Sequence, residues 1–172
     1  TTINNTGLGT LAASSTTAAN VNLAGGGIFT AGGNVTGNVD NTSGSDGSGT
    51  LSLGSTFNLS GTAGATNSLL ALNINTGSGT STIGGAVKAT TTTLTGTGTA
   101  SFAEDVTGAV AFGANATASV AAQKKIVGSV TTSADGQGTL TWGLESAFAG
   151  DVYSGAFRAG KPNGQGRYVF AN

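Results

Sequence analysis

The stretch Val35-Thr-Gly37-Asn-Val39 places a glycine midway between two apolar residues. The same pattern of apolar, any, glycine, any, apolar recurs along the chain, in a weaker form as Leu59-Ser-Gly61-Thr-Ala63. The remaining copies span residues 83–87, 106–110, 126–130 and 148–152. Successive copies begin 24, 24, 23, 20 and 22 residues apart, and this near-constant spacing predicts a structural repeat of twenty-odd residues.

A second pattern lies upstream of several of these copies. Asp46-Gly-Ser-Gly-Thr-Leu-Ser-Leu53 is almost identical to the segment 135–142, and residues 98–102 and 116–120 are shorter relatives. Apolar residues alternate in these segments with Thr, Ser or Asn, as they do in strands that bury one side. The intervening Gly and Asn are typical of turns. Each repeat is therefore predicted to contain two short strands separated by turns.

Repeats of this length and content predict an all-β fold, specifically a right-handed parallel β-solenoid of about 20–24 residues per coil. A single coil cannot bury its own apolar side, whereas a stack of coils can. Because alternation does not fix strand direction, an antiparallel sheet or an intertwined trimeric β fibre is the alternative. The predicted repeat core consists of Val35, Val39, Leu51, Leu53, Leu59, Ile83, Val87, Phe102, Val106, Val110, Ile126, Val130, Leu140, Trp142, Phe148 and Val152.

Three segments follow from this pattern. Residues 1–32 fit the repeat poorly, and the run "LAASSTTAAN" suits a helical turn or an irregular coil, so we expect an atypical N-terminal coil or the cut end of a longer product. Residues 33–152 carry the β-solenoid repeats. Residues 153–172 contain both tyrosines and the only proline, and we expect a C-terminal β-hairpin there.

Composition excludes several functional classes. Charged residues make up 8% of the chain, far below the usual quarter or so, and the net charge is −1. No basic field is available for nucleic acid. His and Cys are both absent, which removes the commonest general base, the commonest metal ligand and the thiol nucleophile. No apolar run approaches the roughly 18–20 residues of a membrane span. We expect no cofactor.

Few residues offer chemistry. Glu104 and Asp105 are adjacent carboxylates, which on a strand would point to opposite faces and could not readily share a substrate. A polysaccharide-degrading solenoid enzyme would need Lys88, Asp105 and Lys125 to align on stacked coils. The Asp-Gly-x-Gly turn at Asp46 resembles calcium-binding nonapeptide repeats, but its single relative lies 89 positions away, and a tight Asp-capped turn explains it better.

From about residue 33 to residue 112 the repeats resemble the passenger repeats of rickettsial-type surface-layer autotransporters. The clearest segment is Ile83-Gly-Gly-Ala-Val-Lys-Ala-Thr-Thr-Thr-Thr-Leu-Thr95, supported by residues 35–42 and 66–69. The resemblance implies a β-solenoid surface protein that forms a layer or acts as an adhesin. Phage tail fibres use similar sequences, so a virion protein is the alternative.

The closing segment resembles a different family. Tyr153-Ser-Gly-Ala-Phe-Arg-Ala-Gly-Lys-Pro-Asn-Gly-Gln-Gly-Arg-Tyr168 matches the MORN repeat at nearly every defining position, in a single copy. The resemblance implies a β-hairpin of the kind that stacks in tandem arrays, with roles in protein assembly and sometimes in phospholipid contact. Three cations on a short exposed hairpin more often mark a solvated face.

Together these patterns predict a non-enzymatic structural or adhesive segment of a bacterial cell-surface protein, located extracellularly or at the outer-membrane surface, or in a virion. Its expected partners are copies of itself in an oligomer or filament, or a protein or glycan of a host surface, with no nucleic acid and no membrane span in this segment. The closing hairpin is predicted to be an end cap, or alternatively a docking surface. Its predicted residues are Tyr153, Phe157, Arg158, Lys161, Arg167, Tyr168 and Phe170.

Overall fold

The computed structural model describes residues 1–113, 115–132, 136–141, 150–158 and 161–171. These ranges contain strands and turns and no helix, so no helix within them could cross a membrane. The strands of the first half are β1 Thr2–Asn5, β2 Thr10–Ala13, β3 Asn20–Leu23, β4 Ile28–Ala31, β5 Val39–Asn41, β6 Thr50–Leu53, β7 Leu69–Asn75 and β8 Thr80–Ile83. The remaining strands are β9 Val87–Thr95, β10 Thr99–Phe102, β11 Val106–Phe112, β12 Thr117–Val120, β13 Ile126–Val127, β14 Val130–Thr132, β15 Gly136–Thr141, β16 Val152–Arg158 and β17 Lys161–Val169.

Strands β1 to β14 form a parallel stack with three columns of paired residues, which we call ladders. The first ladder joins Ile3, Val21, Val39, Ala63, Val87, Val106 and Ile126. The second ladder joins Leu11, Phe29, Leu51, Leu72, Thr92, Val110 and Val130. The third ladder joins Thr17, Val35, Leu59, Ile83, Phe102 and Val120. Seven rungs in the first ladder correspond to about seven coils.

The inward side chains of the three ladders make one continuous core. Large side chains such as Phe29, Leu59 and Phe102 are fully buried within it. Side chains alternate along each strand, so Thr, Ser and Asn occupy the outward positions between the buried ones. Among the described residues, burial is lower in the first and last rungs of the first ladder, where Ile3 and Ile126 are half-buried.

The predicted fold class is confirmed: the protein is an all-β parallel solenoid followed by a C-terminal antiparallel hairpin. The ladders of the stack are parallel and form within one chain, so they disagree with the alternative of an antiparallel sheet or an intertwined trimeric fibre. The coils are less uniform than the predicted 20–24 residues, since successive rungs of the first ladder are 18, 18, 24, 24, 19 and 20 residues apart.

The N-terminal segment differs from the expectation of a helical turn or irregular coil. Strands β1 to β4 lie within residues 1–32 and pair in register with later coils, as in Ile3 with Val21 and Leu11 with Phe29. The segment lacks the glycine motif, and at its corner Thr17 and Val21 take the positions that Val35 and Val39 hold in the next coil. Stacking therefore overrides the weak local pattern.

The C-terminal strands form a separate antiparallel sheet with the order β15, β16, β17. Strand β15 covers residues 136–141 of the segment that resembles residues 46–53, yet Leu140 pairs with Tyr153 in antiparallel register. Leu140 and Val152 were predicted to belong to the solenoid core and instead lie in this sheet. Two segments of similar sequence thus have different strand directions, because the neighbouring strand decides the pairing.

Candidate functional site

The repeat glycines lie where successive coils approach most closely. Gly37, Gly61 and Gly85 stack above one another between the third and first ladders. A Cβ on Gly61 would meet the carbonyl oxygen of Gly37, and a Cβ on Gly85 would meet that of Gly61. Because real Cβ atoms do not approach backbone this closely, this corner requires glycine in these coils.

The glycine motif marks two different corners. In the first three copies it connects the third ladder to the first, a step of four residues. Residues 106–110 and 126–130 instead connect the first ladder to the second, where Gly108 and Gly128 have φ values of 113° and 156°. A Cβ on Gly128 would meet the carbonyl oxygen of Gly108. The glycine motif therefore marks a different corner of the stack from its fourth copy, at residues 106–110, onward.

Asn and Asp side chains form hydrogen-bonded columns on the outside of the stack, a role that the sequence analysis missed. Asn20 Oδ1 accepts the backbone N–H of Asn38 at 2.9 Å, and Asn38 Oδ1 accepts that of Thr62 at 2.9 Å. Asn34 and Asn58 make the equivalent bonds beside the third ladder. The signal in the sequence is an Asn directly before successive ladder residues, at spacings of 18 and 24.

The loop after β5 is held by a buried asparagine. Asn41 Nδ2 donates to the carbonyl oxygens of Ser45 and Ser68, at 2.8 and 2.7 Å. Its Oδ1 accepts the backbone N–H of Ser43 at 3.0 Å. Asp46 Oδ1 accepts the backbone N–H of Ser68 at 2.6 Å, so this carboxylate fastens the loop to the next coil. The described residues contain no group of three metal-ligating side chains.

The charges of the stack are confined to one side. Residues 1–132 contain seven charged side chains: Asp40, Asp46, Lys88, Glu104, Asp105, Lys124 and Lys125. Asp40, Lys88, Asp105 and Lys125 each lie next to a first-ladder residue, and the other three lie in the corners that flank this ladder. The strand segments of the second and third ladders carry no charged residue.

The residues considered for catalysis do not form one cluster. Asp105 and Lys125 lie on the same side of the first ladder, each directly before a ladder residue, and the backbone N–H of Lys125 donates to Asp105 Oδ1 at 3.0 Å. Lys88 lies on the other side of the first ladder, directly after a ladder residue, where it pairs with Thr107. Its Nζ donates to the carbonyl of Ala65. Glu104 forms an ion pair with Lys124, and this hydrogen bond raises the pKa of the Lys124 ammonium group above its ordinary value.

The C-terminal sheet contains a slot for an aromatic ring. Gly155 and Gly166 pair across β16 and β17, and a Cβ on Gly166 would strike the ring of Tyr153. Tyr153 is 7% exposed, and its hydroxyl donates to the carbonyl of Ala156 at 3.0 Å. Because Gly155 and Gly166 lack a Cβ, the ring of Tyr153 can lie across its own hairpin.

A buried carboxylate holds the end of this sheet. Asp151 Oδ2 accepts the hydroxyl of Tyr168 at 2.9 Å, and its Oδ1 accepts the backbone N–H of Ala171 at 2.8 Å. Partial desolvation, followed by the hydrogen bond to Asp151 and its negative charge, raises the pKa of the Tyr168 hydroxyl above its ordinary value of 10.0. The aromatic surface beyond it is open, since Tyr168 and Phe170 are 38% and 73% exposed with ring centroids 4.7 Å apart.

The outer strand β17 has several features that resist pairing with another strand. The register shifts opposite Ala156, Gly164 has φ 78°, and Pro162 lacks a donor. Lys161 and Arg167 are exposed on the same strand, and Arg158 is exposed on β16. Such bulges, prolines and cations are how proteins protect sheet edges.

The remaining predicted residues are placed as follows. Tyr168 and Phe170 are exposed and Tyr153 packs within its own hairpin, and the end-cap role of these residues stays a prediction. The predicted core residues of the solenoid up to Val110 are buried, and Ile126, Val130 and Val152 are half-buried. Trp142 and Phe148 lie outside the described residues, as do the side chains of Leu140 and Phe157.

Comparison with known proteins bears on the C-terminal sheet alone. The MORN repeat family matches residues 153–172, which confirms the single MORN repeat predicted there. No curated protein matches the chain. No solved structure matches it either.

Proposed function

We propose that this chain is a non-enzymatic structural segment, a stiff β-rod that associates with copies of itself or contacts a host surface. The observation that carries the proposal is the uninterrupted first ladder from Ile3 to Ile126, which joins about seven coils through one core. At about 4.8 Å per coil, this stack is roughly 30 Å long.

The outer surface supports a role in assembly. Polar outward residues are largely Thr, Ser and Asn, and several of their side chains already bind the backbone of the adjacent coil. Lys88, Asp105 and Lys125 do not converge, and Asn41 and Asp46 fasten a loop. These Asn and Asp side chains are thus committed to building the stack.

We place the rod at a bacterial cell surface, in a surface layer, adhesin or filament. This proposal rests on the resemblance of residues 33–112 to the passenger repeats of rickettsial-type surface-layer autotransporters. Low charge and Thr-rich coils suit a densely packed layer, because adjacent copies repel each other little.

The C-terminal MORN-like sheet is proposed as a docking surface at one end of the chain, with the end-cap role as the alternative. Tyr168 and Phe170 offer exposed aromatic area; Tyr168 shares β17 with Lys161 and Arg167, and Phe170 directly follows this strand. The protected edge of β17 favours contact through side chains over addition of a strand.

Sedimentation velocity of the full chain over a wide concentration range, combined with electron microscopy, tests the proposal. We expect an elongated particle that associates reversibly and forms ordered assemblies at high concentration. Robust depolymerisation of a polysaccharide in a substrate screen would contradict the non-enzymatic role. A concentration-independent trimer would contradict the rod and favour a fibre of three chains.

A further inference from the structure

One side of the stack is long and free of charge. Two columns of outward side chains, which we call ranks, flank the second ladder. The residues directly after the ladder residues form one rank, from Ala12 through Ser52 and Thr93 to Thr131. The residues directly before them form the other, from Thr10 to Ala109. We call these two ranks the long uncharged face. Building on the proposed rod, we propose that this face is the contact surface for a second copy of the chain.

The distribution of charge distinguishes this face. All seven charged side chains of residues 1–132 flank the first ladder, so that side would bring charges of both signs against a neighbour. The long uncharged face would instead bring Thr, Ser, Ala and Asn, together with the partly exposed Ile28, against the same residues of another copy. Flat, in-register sheets with low charge and small side chains pack closely against each other.

The length of the long uncharged face also favours it over the side of the third ladder, whose strands are uncharged as well. The second ladder continues through seven strands, whereas the sheet of β8, β10 and β12 has three. Seven rungs of about 4.8 Å and four residues of about 3.3 Å give roughly 400 Å² per copy. This is about half of what each partner buries in a stable interface, so two copies bind weakly and reversibly. Repetition of the contact in an array adds strength.

Lysines placed on two different faces test the assignment. Thr30→Lys with Asn73→Lys adds two exposed charges to the long uncharged face. Ala65→Lys with Thr107→Lys adds two exposed charges to the side of the first ladder, with the same change in net charge. Sedimentation equilibrium gives the association constant of each variant, and circular dichroism with thermal melting verifies that each one folds.

We expect the first pair of lysines to weaken association at least about tenfold, because copies with like charge on the shared face repel each other. The second pair should change it by less than about twofold. Equal weakening by both pairs, or stronger weakening by the second, would overturn the assignment of the face while leaving a self-associating rod. A wild-type chain that stays monomeric at every concentration would overturn both this assignment and self-association itself.

Discussion

The stack and the C-terminal sheet use glycine for opposite purposes. In the stack, Gly61 removes a Cβ so that two backbones can touch, and the core is then filled by aliphatic and Phe side chains from three ladders. In the C-terminal sheet, Gly166 removes a Cβ so that the ring of Tyr153 can lie on the hairpin. The first arrangement makes a core that grows with each coil. The second completes a small unit locally.

The largest expected contrast comes from deleting a ring in each region. Phe29→Ala in the second ladder should destabilise the stack by about 3–5 kcal/mol, because a fully buried ring leaves a cavity between coils. Phe170→Ala should change stability by less than about 0.5 kcal/mol, since that ring is largely exposed. Urea denaturation followed by circular dichroism measures both. A similar loss of unfolding free energy in the two variants would contradict the contrast between the packed core of the stack and the exposed aromatic surface of the C-terminal sheet.

A corner glycine should be the next most sensitive position. Gly61→Ala places a methyl group against the backbone of Gly37 and should cost about 1–3 kcal/mol. Gly9→Ala is the matched control, because a Cβ there meets no atom within 4 Å. Thermal melting compares the two variants. A Gly61→Ala protein that melts at the same temperature as the unchanged chain would show that the coils are not packed as described.

A buried hydroxyl offers a gain in stability. Thr92 points into the second ladder between Leu72 and Val110, and no described residue is a hydrogen-bond partner of its Oγ1. Thr92→Val should therefore stabilise the stack by about 1 kcal/mol, since an unpaired buried hydroxyl is removed. The outward neighbour provides the control: Thr93→Val should leave the unfolding free energy within about 0.5 kcal/mol. Destabilisation by Thr92→Val would show that its hydroxyl has a partner after all.

The smallest effect is confined to the C-terminal sheet and depends on pH. The pKa of Tyr168 is raised in the folded state, so the fold favours the neutral hydroxyl. This stabilisation is complete below the ordinary pKa of 10.0 and is lost as pH rises through the higher folded-state pKa. Alkaline titration of tyrosinate absorbance should show a phase above that value, which Tyr168→Phe removes. Persistence of the phase in that variant would assign it to another group.

The sequence predicted the solenoid well because its strongest signal, the spacing of Val35, Leu59 and Ile83, follows one real corner of the stack. It could not predict that the same motif marks another corner at Val106, because both corners are short turns that exclude a Cβ. The direction of β15 was equally hidden, since strand direction depends on the partner strand. The inward position of Thr92 within a run of four threonines follows from register alone.

For the candidate surfaces, the single MORN repeat was visible in the sequence through its glycines and aromatics. The segregation of charge was not, because Asp40, Lys88 and Lys125 are far apart in the chain and meet on one side only through the ladder pairing. The Asn columns were overlooked because Asn was interpreted as a turn residue. Asn20 and Asn34 in fact connect neighbouring coils.

Hydrogen exchange of the intact chain, measured segment by segment, tests the central claim that the stack is a self-sufficient parallel rod. We predict that amides from β3 to β11 are strongly protected and open together, because they belong to one continuous core. Strands β15 to β17 should exchange as a separate unit that opens more easily. Opening of the whole chain in a single step, or weak protection of the middle coils, would contradict this account.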